Sequence, residues 1–325
     1  MNYIQQAYKG KNSFWRYFIS FIVVVIGWQI IGAIPLLITA VVHSKDMTEF
    51  REAANENFMS LGINSNLFLF LMILMFAIAL AALFFAIKYI HQRSITSLVT
   101  SRKNTDWKRV FYAFAIWFSV SIMMIAIGYF SAPETYTWNF KPISFIILVL
   151  VSFLFMPLQT SFEELFFRGY LMQGFGILTK NRWFPLLLSS AIFGLMHAFN
   201  PEVAKLGYIV MVYYIGTGLL LGILTLMDEG TELSLGFHAA NNIAAAIFVT
   251  TNWTVFQTDA LMIDTSEPSI SFETFVPVFV LYPVLLFVFS KKYAWTNWKV
   301  KLFGKIEKPN KEVDDFFDGD SMLEL

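Results

Sequence analysis

Three short groups of polar residues stand within strongly apolar stretches of the chain. They are EELFFR at positions 163–168, FGLMH at 193–197 and HAANN at 238–242. Carboxylates, imidazoles and carboxamides can move protons and can donate hydrogen bonds to a developing negative charge. A charged side chain in a membrane helix costs about 2.5–3.5 kcal/mol on insertion scales. A chain that carries several such groups in apolar segments is expected to use them.

The composition indicates a membrane protein. Of 325 residues, 57% are hydrophobic and 14% are charged, whereas soluble domains have about 25% charged residues. The chain contains no cysteine, which excludes disulfides, thiolate metal sites and cysteine nucleophiles. The first apolar run is too long for a signal peptide and has no clear cleavage site, so we interpret it as an anchor.

Long apolar runs recur along the chain. Each approaches the length of about 20 residues that a transmembrane helix needs, and lipid offers no partner to an open backbone, so the spans must be helices. We therefore predict an all-α, polytopic transmembrane helical bundle of about eight spans with a polar active-site cavity inside the membrane. The predicted spans are 14–42, 67–90, 110–130, 143 onward, 183–199, 206–227, 233–249 and 272–289.

The distribution of Lys and Arg predicts the orientation in the membrane. With a cytoplasmic N-terminus, few basic residues fall outside: Lys45, Arg51, Lys141 and Lys205. Because cytoplasmic loops are enriched in Lys and Arg, we expect a multi-pass plasma-membrane protein with both termini in the cytoplasm. A ninth span at 162–178 would move the lysine-rich C-terminal segment outside.

The chain divides into four predicted regions. Residues 1–142 hold about three N-terminal spans, and residues 143–252 form the core that carries the candidate catalytic groups. Residues 253–290 comprise a loop and the last transmembrane helix. Residues 291–325 are basic and then acidic, and this pattern predicts a disordered cytoplasmic tail.

The two adjacent glutamates are expected to have different roles, because neighbouring side chains on a helix point about 100° apart. Glu164 and Arg168 are four residues apart and face each other, which predicts a structural pair beside the site. Glu163 then remains as the carboxylate that can act as a base. The alternative interpretation is that both glutamates only mark the cytoplasmic end of a helix.

Two histidines and an asparagine complete the candidate set. His197 lies in an apolar segment, and His238 and Asn242 share one helix face at a spacing of four. Asn241, at a spacing of three, competes with Asn242 for the same position. A single histidine could simply bond a neighbouring carbonyl, but two of them with an asparagine in register favour a functional role.

These side chains fit more than one chemistry. A carboxylate and an imidazole can deprotonate a water, while a second imidazole and a carboxamide can stabilise an oxyanion, as amide hydrolysis requires. Glu and His are also ordinary zinc ligands, although the HExxH spacing is absent. No clear Ser/Lys or Ser/His pair is present. Proton-coupled transporters also use intramembrane Glu and His.

The three groups resemble the motifs of one family. EELFFR is similar to the EExxxR motif, FGLMH to FxxxH and HAANN to HxxxN of the CPBP family. Its members are the CAAX proteases and bacteriocin-processing proteins, also called the Abi family, which are related to type II CAAX prenyl endopeptidases. Each motif alone is weak, but the ordered set on membrane helices is specific. The resemblance covers about residues 143–249.

The resemblance implies an intramembrane endopeptidase. Glu163 and His197 would activate water, and His238 and Asn242 would stabilise the oxyanion. If a divalent metal such as zinc is bound, its ligands would be Glu163, His197 and His238; a glutamate-type mechanism without metal fits the same residues. Strict alternation of spans places Glu163 near an inner helix end, so we expect helix 162–178 to dip into the bilayer as a deep or re-entrant segment.

We therefore predict hydrolysis of a peptide bond in a membrane-associated protein or peptide. The expected partners are this substrate and the lipid bilayer, with no nucleic acid, and the sequence leaves the oligomeric state open. Two alternatives belong to other functional classes. One is a proton- or ion-coupled transporter that uses the Glu/His cluster, and the other is a non-catalytic immunity protein that binds a peptide.

Overall fold

The chain folds into a bundle of helices with one small sheet. The computed structural model describes residues 1–55 and 58–309. The helices are α1 Phe14–His43, α2 Met47–Asn55, α3 Ser65–Ile90, α4 Thr96–Val99, α5 Trp107–Ser131, α6 Pro142–Thr179, α7 Trp183–Leu195, α8 Pro201–Leu206, α9 Tyr208–Asp228, α10 Glu232–Ile247, α11 Phe272–Lys292 and α12 Trp298–Phe303. Short 3₁₀ helices span Ile4–Lys9, Met59–Leu61 and Pro133–Thr135.

The predicted all-α polytopic bundle is confirmed, but the number of spans differs from eight. Within the described residues, six helices are long and apolar enough to cross a membrane: α1, α3, α5, α6, α9 and α11. The other two predicted spans form the shorter helices α7, with 13 residues, and α10, with 16 residues. At 1.5 Å per residue they are about 20 and 24 Å long, less than the roughly 30 Å of hydrocarbon.

Local sequence and packing explain why α7 and α10 are short. After α7 the chain turns through His197 and Asn200 into Pro201, which begins α8. After α10 it enters a short strand at Val249. Helix α10 packs against α5, α6 and α9, so protein surrounds most of it. A helix inside the bundle does not have to match the thickness of the lipid.

Helix α6 is one continuous helix of 38 residues, about 57 Å long at 1.5 Å per residue. Pro157 lies inside it without ending it, and a π-helical segment spans Leu165–Leu171. Residues 162–178 are therefore neither a separate re-entrant helix nor a separate ninth span, and their depth in the bilayer stays a prediction. Because the helix continues, Glu163 lies near its middle and not at its end.

Glycines allow α7 and α9 to approach each other closely. A Cβ atom on Gly218 would lie 2.7 Å from the Ser190 backbone oxygen, and one on Gly222 would lie 2.5 Å from Leu186. Real Cβ atoms do not tolerate such distances. The small-residue pattern of α9 is thus a helix contact of the kind common in membrane bundles. It sets α9 against the helix that leads to His197.

The two termini of the described chain meet at one end of the bundle, the terminal face. The Tyr3 backbone N–H donates to Glu229 at 2.6 Å, and the Gln5 side chain donates to the Glu307 carbonyl at 2.9 Å. The Lys301 ammonium donates to the Met227 carbonyl at 2.7 Å. Termini on one face fit an even number of crossings.

Residues 291–309 differ from the predicted disordered tail, because they fold against the terminal face. Helix α12 lies in this segment, the Ile306 N–H donates to the Lys180 carbonyl at 3.0 Å, and Trp295 and Ile306 are buried. The many lysines of this segment predicted a solvated tail, although Trp295 and Ile306 pack into the protein. The predicted acidic end of the tail, from Glu312, lies outside the described residues.

A three-stranded sheet caps the opposite end, the loop face. Its strands are β1 Tyr136–Trp138, β2 Val249–Thr250 and β3 Met262–Asp264, in the order β1-β3-β2. Strand β3 pairs antiparallel with β1 and parallel with β2. The sheet joins the loop after α5 to the loop after α10, and it thereby fixes the loop-face ends of these two helices.

An ion-pair cluster holds the turn between α9 and α10. Asp228 lies 3.0 Å from Arg102 and also pairs with Arg109, while Glu232 lies 3.1 Å from Arg102. Asp228 is 4% exposed, and the Trp295 indole N–H donates to it at 3.3 Å. The cluster connects the basic loop before α5 to α9 and to α10, which carries His238.

We expect Asp228→Asn to destabilise the fold. The variant leaves two arginines without their shared carboxylate, and both side chains are partly exposed, at 27% and 20%. The loss should lie between those of surface and buried pairs, at about 1–3 kcal/mol. Thermal unfolding in detergent measures it. The control is Glu49→Gln, which breaks the exposed Lys45 pair and should leave the unfolding temperature unchanged.

Candidate active site

Helices α6 and α10 bring the acidic pair and His238 together. The His238 Nδ1 atom lies 2.7 Å from Glu164 Oε1, and its Nε2 atom lies 3.5 Å from Glu163 Oε2. Glu163 is 8% exposed, and Glu164 is fully buried. Because a carboxylate oxygen only accepts, His238 Nδ1 must donate to Glu164. One imidazole therefore bridges two carboxylates that are adjacent in sequence.

Arg168 holds the same Glu164 oxygen from the other side. Its Nη1 atom lies 3.0 Å from Glu164 Oε1, and neither side chain is exposed. Arg168 Nη2 donates to the Gly218 carbonyl at 3.1 Å, and the guanidinium carbon lies 4.4 Å from the centre of the Phe193 ring. Glu164 thus binds Arg168 and His238 together, and Arg168 connects α6 to α9 and α7.

The cluster places its polar groups in contact with one another. A buried charge is costly unless it is paired and hydrogen-bonded. Glu164 is paired with Arg168 and bonded to His238 Nδ1, and His238 Nε2 points toward Glu163.

Gln159 and Asn242 form a second line of hydrogen bonds to Glu163. The Gln159 side-chain N–H donates to Glu163 Oε1 at 2.7 Å, and the Asn242 side-chain N–H donates to Gln159 Oε1 at 3.0 Å. Gln159 fixes one oxygen of Glu163, so the other oxygen faces His238. Gln159 was not among the residues predicted from the sequence. Its position four residues before Glu163 on one helix was the available signal.

The two asparagines have different neighbours. Asn241 accepts a hydrogen bond from the Trp117 indole at 3.1 Å and donates to Asn242 Oδ1 at 3.1 Å. Asn242 is the one that reaches Gln159, and through it Glu163. An asparagine side chain has two N–H donors, so Asn242 keeps a second donor beyond its bond to Gln159.

His197 lies in the turn after α7, and the Phe193 ring lies between it and His238. Its Nδ1 atom is 2.8 Å from the Phe193 carbonyl, and a carbonyl only accepts, so Nδ1 carries the proton and Nε2 of the neutral ring is free to accept one. The Phe193 ring contacts both His197 and His238, with centroid distances of 4.9 and 5.9 Å. Within residues 1–55 and 58–309, no hydrogen bond or ion pair joins His197 to Glu163.

The structure does not assemble the predicted metal ligands. In the part of the chain that is described, no three His, Asp or Glu side chains form a group that could hold a metal ion. Glu163 and His238 are adjacent, but His197 faces Phe193 and Tyr214. The set Glu163, His197 and His238 therefore does not fit a shared metal in this conformation.

A cavity of about 390 Å³ lies beside the network, toward the loop face. Its wall includes Asn241 and Trp117 on one side and Tyr214 and Glu202 on the other. Most of the remaining lining is apolar, which differs from the polar cavity that the sequence predicts. The polar groups are buried among the helices, and the apolar space adjoins them.

We expect Arg168→Met to lower stability by about 3–5 kcal/mol, because it leaves Glu164 buried without its cation. The double variant Glu164→Gln/Arg168→Met should recover part of the loss, since it removes the stranded charge as well. Yield in membranes and thermal unfolding in detergent measure both. Arg168→Met with unchanged stability would contradict the structural role of the pair.

Comparison with known proteins identifies the family of the chain. The family model described as "Type II CAAX prenyl endopeptidase Rce1-like" matches residues 142–244, which include α6, α7, α9 and most of α10. The protein named "Uncharacterized protein YyaK" from Bacillus subtilis (strain 168) is 31% identical over 262 residues, covering 79% of this chain and 85% of its own length. No solved structure matches the chain. The chain is a multi-pass membrane protein that belongs to the CPBP family of CAAX-protease-like intramembrane endopeptidases.

Proposed function

We propose that this protein hydrolyses a peptide bond in a membrane-associated protein or peptide, with Glu163 as the general base. The observation that carries the proposal is the environment of its carboxylate. Gln159 holds Oε1 at 2.7 Å, while Oε2 lies 3.5 Å from His238 Nε2 and has no other described side chain within hydrogen-bonding distance. One oxygen is fixed, and the other is buried without a hydrogen-bond partner, so it can accept a hydrogen bond from a water that enters the site with the substrate.

In the first step, a water attacks the carbonyl carbon of the substrate, and Glu163 takes the proton of that water. The bound Gln159 keeps the carboxylate oriented, and an oriented base is what general base catalysis requires. His197 serves as a second proton acceptor, because its Nδ1 atom is committed to the Phe193 carbonyl. Its Nε2 atom can accept a proton from the water and later pass that proton to the leaving amine.

In the second step, donors stabilise the negative oxygen of the tetrahedral intermediate. The second N–H of Asn242 can serve, because its other N–H is bound to Gln159. The Nε2 atom of His238 can serve as well once it has taken up a proton, because Nδ1 is bound to Glu164. Fixed donors are worth most in a dry site. When the C–N bond breaks, the proton held by Glu163 or His197 passes to the leaving amine, and no acyl-enzyme forms.

The proposed mechanism is of the glutamate type. It includes no step through a metal, because the ligand types are present but not brought together. Glu164 and Arg168 do not touch the reacting atoms and instead hold His238 in place. The distribution of Lys and Arg supports a cytoplasmic terminal face, and we place the protein in the plasma membrane as part of the proposal.

We expect Glu163→Gln to abolish cleavage and to leave a folded, inserted protein. General bases contribute about 10²–10⁴-fold, and a carboxamide cannot take the proton. Proteomics of membrane peptides from cells with the wild type or the variant should show a product with defined ends only in the wild type. The control is Glu134→Gln, an exposed glutamate on the loop face, which should leave the product unchanged.

Other results of this comparison would contradict the proposal. Full product formation by Glu163→Gln refutes the role of Glu163 as base. No product in either strain, together with ion- or pH-driven flux through the purified protein, would support a transporter. Retained cleavage after treatment with a metal chelator supports the glutamate type, and its loss with recovery on adding zinc overturns it.

We also expect Gln159→Leu to reduce the turnover number by about ten- to a hundredfold. The substitution frees Glu163 Oε1 and removes the acceptor of Asn242, and misplacement of a catalytic group by about 1 Å can cost 10²-fold. Steady-state kinetics on the identified substrate measure it. Gln159→Glu, which keeps an acceptor for Asn242 but adds a negative charge beside Glu163, should also be impaired. Wild-type kinetics for Gln159→Leu would exclude the positioning role.

A further inference from the structure

The ring of His197 is stacked on Tyr214. The two ring centroids are 4.4 Å apart and the planes are inclined by 19°. On another side, Phe193 contacts the imidazole with a centroid distance of 4.9 Å and a tilt of 53°. The Nδ1 atom is also bonded to the Phe193 carbonyl. Phe193 and Tyr214 therefore fix the orientation of the imidazole ring, and Nε2 is its remaining polar atom.

The Tyr214 hydroxyl is itself held by a buried carboxylate. It donates to Glu202 Oε1, which also accepts a hydrogen bond from the Asn200 side chain at 3.1 Å. The Val255 backbone N–H donates to Glu202 Oε2 at 3.1 Å. Glu202 thus joins helix α8, helix α9 and the loop after β2 at one point, directly beside the turn that carries His197.

Glu202 has no cation to balance it among the described residues. It is 7% exposed, and the ion pairs of residues 1–55 and 58–309 do not include it. Burying a carboxylate is costly unless hydrogen bonds compensate for it, and here three neutral donors do so. An apolar residue would pack at less cost, so packing alone does not explain the acid.

We propose that Glu202 and Tyr214 are positioning residues for His197. Glu202 fixes the phenol ring through its hydroxyl, and the ring fixes the plane of the imidazole, so that Nε2 is aimed at the reacting water or the leaving amine. This inference rests on the proposed function, because it assigns how the second proton carrier of that reaction is held. Neither residue belongs to the three motif groups.

The adjacent residue provides a matched control. Tyr213 lines the same cavity, and its ring meets that of Tyr214 at a centroid distance of 5.7 Å. The described aromatic contacts of His197 are with Phe193 and Tyr214 and do not include Tyr213. Tyr213→Phe therefore makes the same chemical change one residue away, without altering a neighbour of the imidazole.

The first test is kinetic and uses the full chain with the substrate found by proteomics. Tyr214→Leu removes the stack and should lower the turnover number about ten- to a hundredfold, with less than a threefold change in KM. It should also displace the limb of the pH–rate profile that depends on His197. Tyr214→Phe keeps the ring and should retain more activity than Tyr214→Leu. Glu202→Gln should resemble Tyr214→Phe, and Tyr213→Phe should match the wild type.

The second test does not depend on activity. The chain has four histidines, so NMR of protein with isotope-labelled histidine rings gives few signals, and His197→Gln identifies the relevant one. Tyr214→Leu should move this signal, since it removes a ring that lies against the imidazole, and Glu202→Gln should broaden or shift it. Tyr213→Phe should leave it in place. If Tyr214→Leu does not fold, Tyr214→Phe replaces it in this NMR measurement.

The outcomes separate the two proposals. If Glu163→Gln is inactive but Tyr214→Leu has a wild-type turnover number and pH profile, the positioning role is refuted and the proposed function stands. An unchanged His197 signal in Tyr214→Leu refutes the positioning role as well. If Glu163→Gln cleaves normally, the proposed function fails. A displaced His197 signal in Tyr214→Leu would still show that Tyr214 orients the imidazole of His197.

Discussion

The Glu164 carboxylate is the contact on which the rest of the site depends. One of its oxygens accepts hydrogen bonds from Arg168 at 3.0 Å and from His238 at 2.7 Å. These bonds join α6 to α10, and Arg168 continues them to α9 through the Gly218 carbonyl. In a bundle surrounded by lipid, apolar contact does not select among helix partners, because lipid tails are equally apolar. A buried charge that only particular donors can satisfy does select them.

The helices that build the site differ in length. Helix α6 is far longer than the hydrocarbon layer, while α7 and α10 are shorter than it. The long helix and its neighbours can face lipid, so the short helices are free to end where the site needs a turn. His197 lies in such a turn, beyond the end of α7. Helix α8, helix α9 and the loop after β2 meet beside it.

Much of the architecture could be predicted from the sequence, because apolar run length identifies helices and a spacing of four identifies a helix face. The spacing of Glu164 and Arg168 indicated their contact, and the motifs identified the family. The continuity of α6 could not be predicted, since Pro157 and the charged group resemble a helix end. Nor could the link from Glu202 to Val255 and Tyr214, because it joins segments that no local pattern connects.

The meeting of the terminal segments has a consequence for the order of folding. Tyr3 and Gln5 emerge early from the ribosome. The Glu229 carboxylate that accepts the Tyr3 backbone N–H and the Glu307 carbonyl that accepts from Gln5 are made much later. Domains generally fold in the order of synthesis, but this end of the bundle cannot close until the last helices have been made. The polar network at Glu163 is assembled from α6 and α10, so it can form before that closure. Assembly of the polar network at Glu163 and closure of the terminal face are then separate steps of folding.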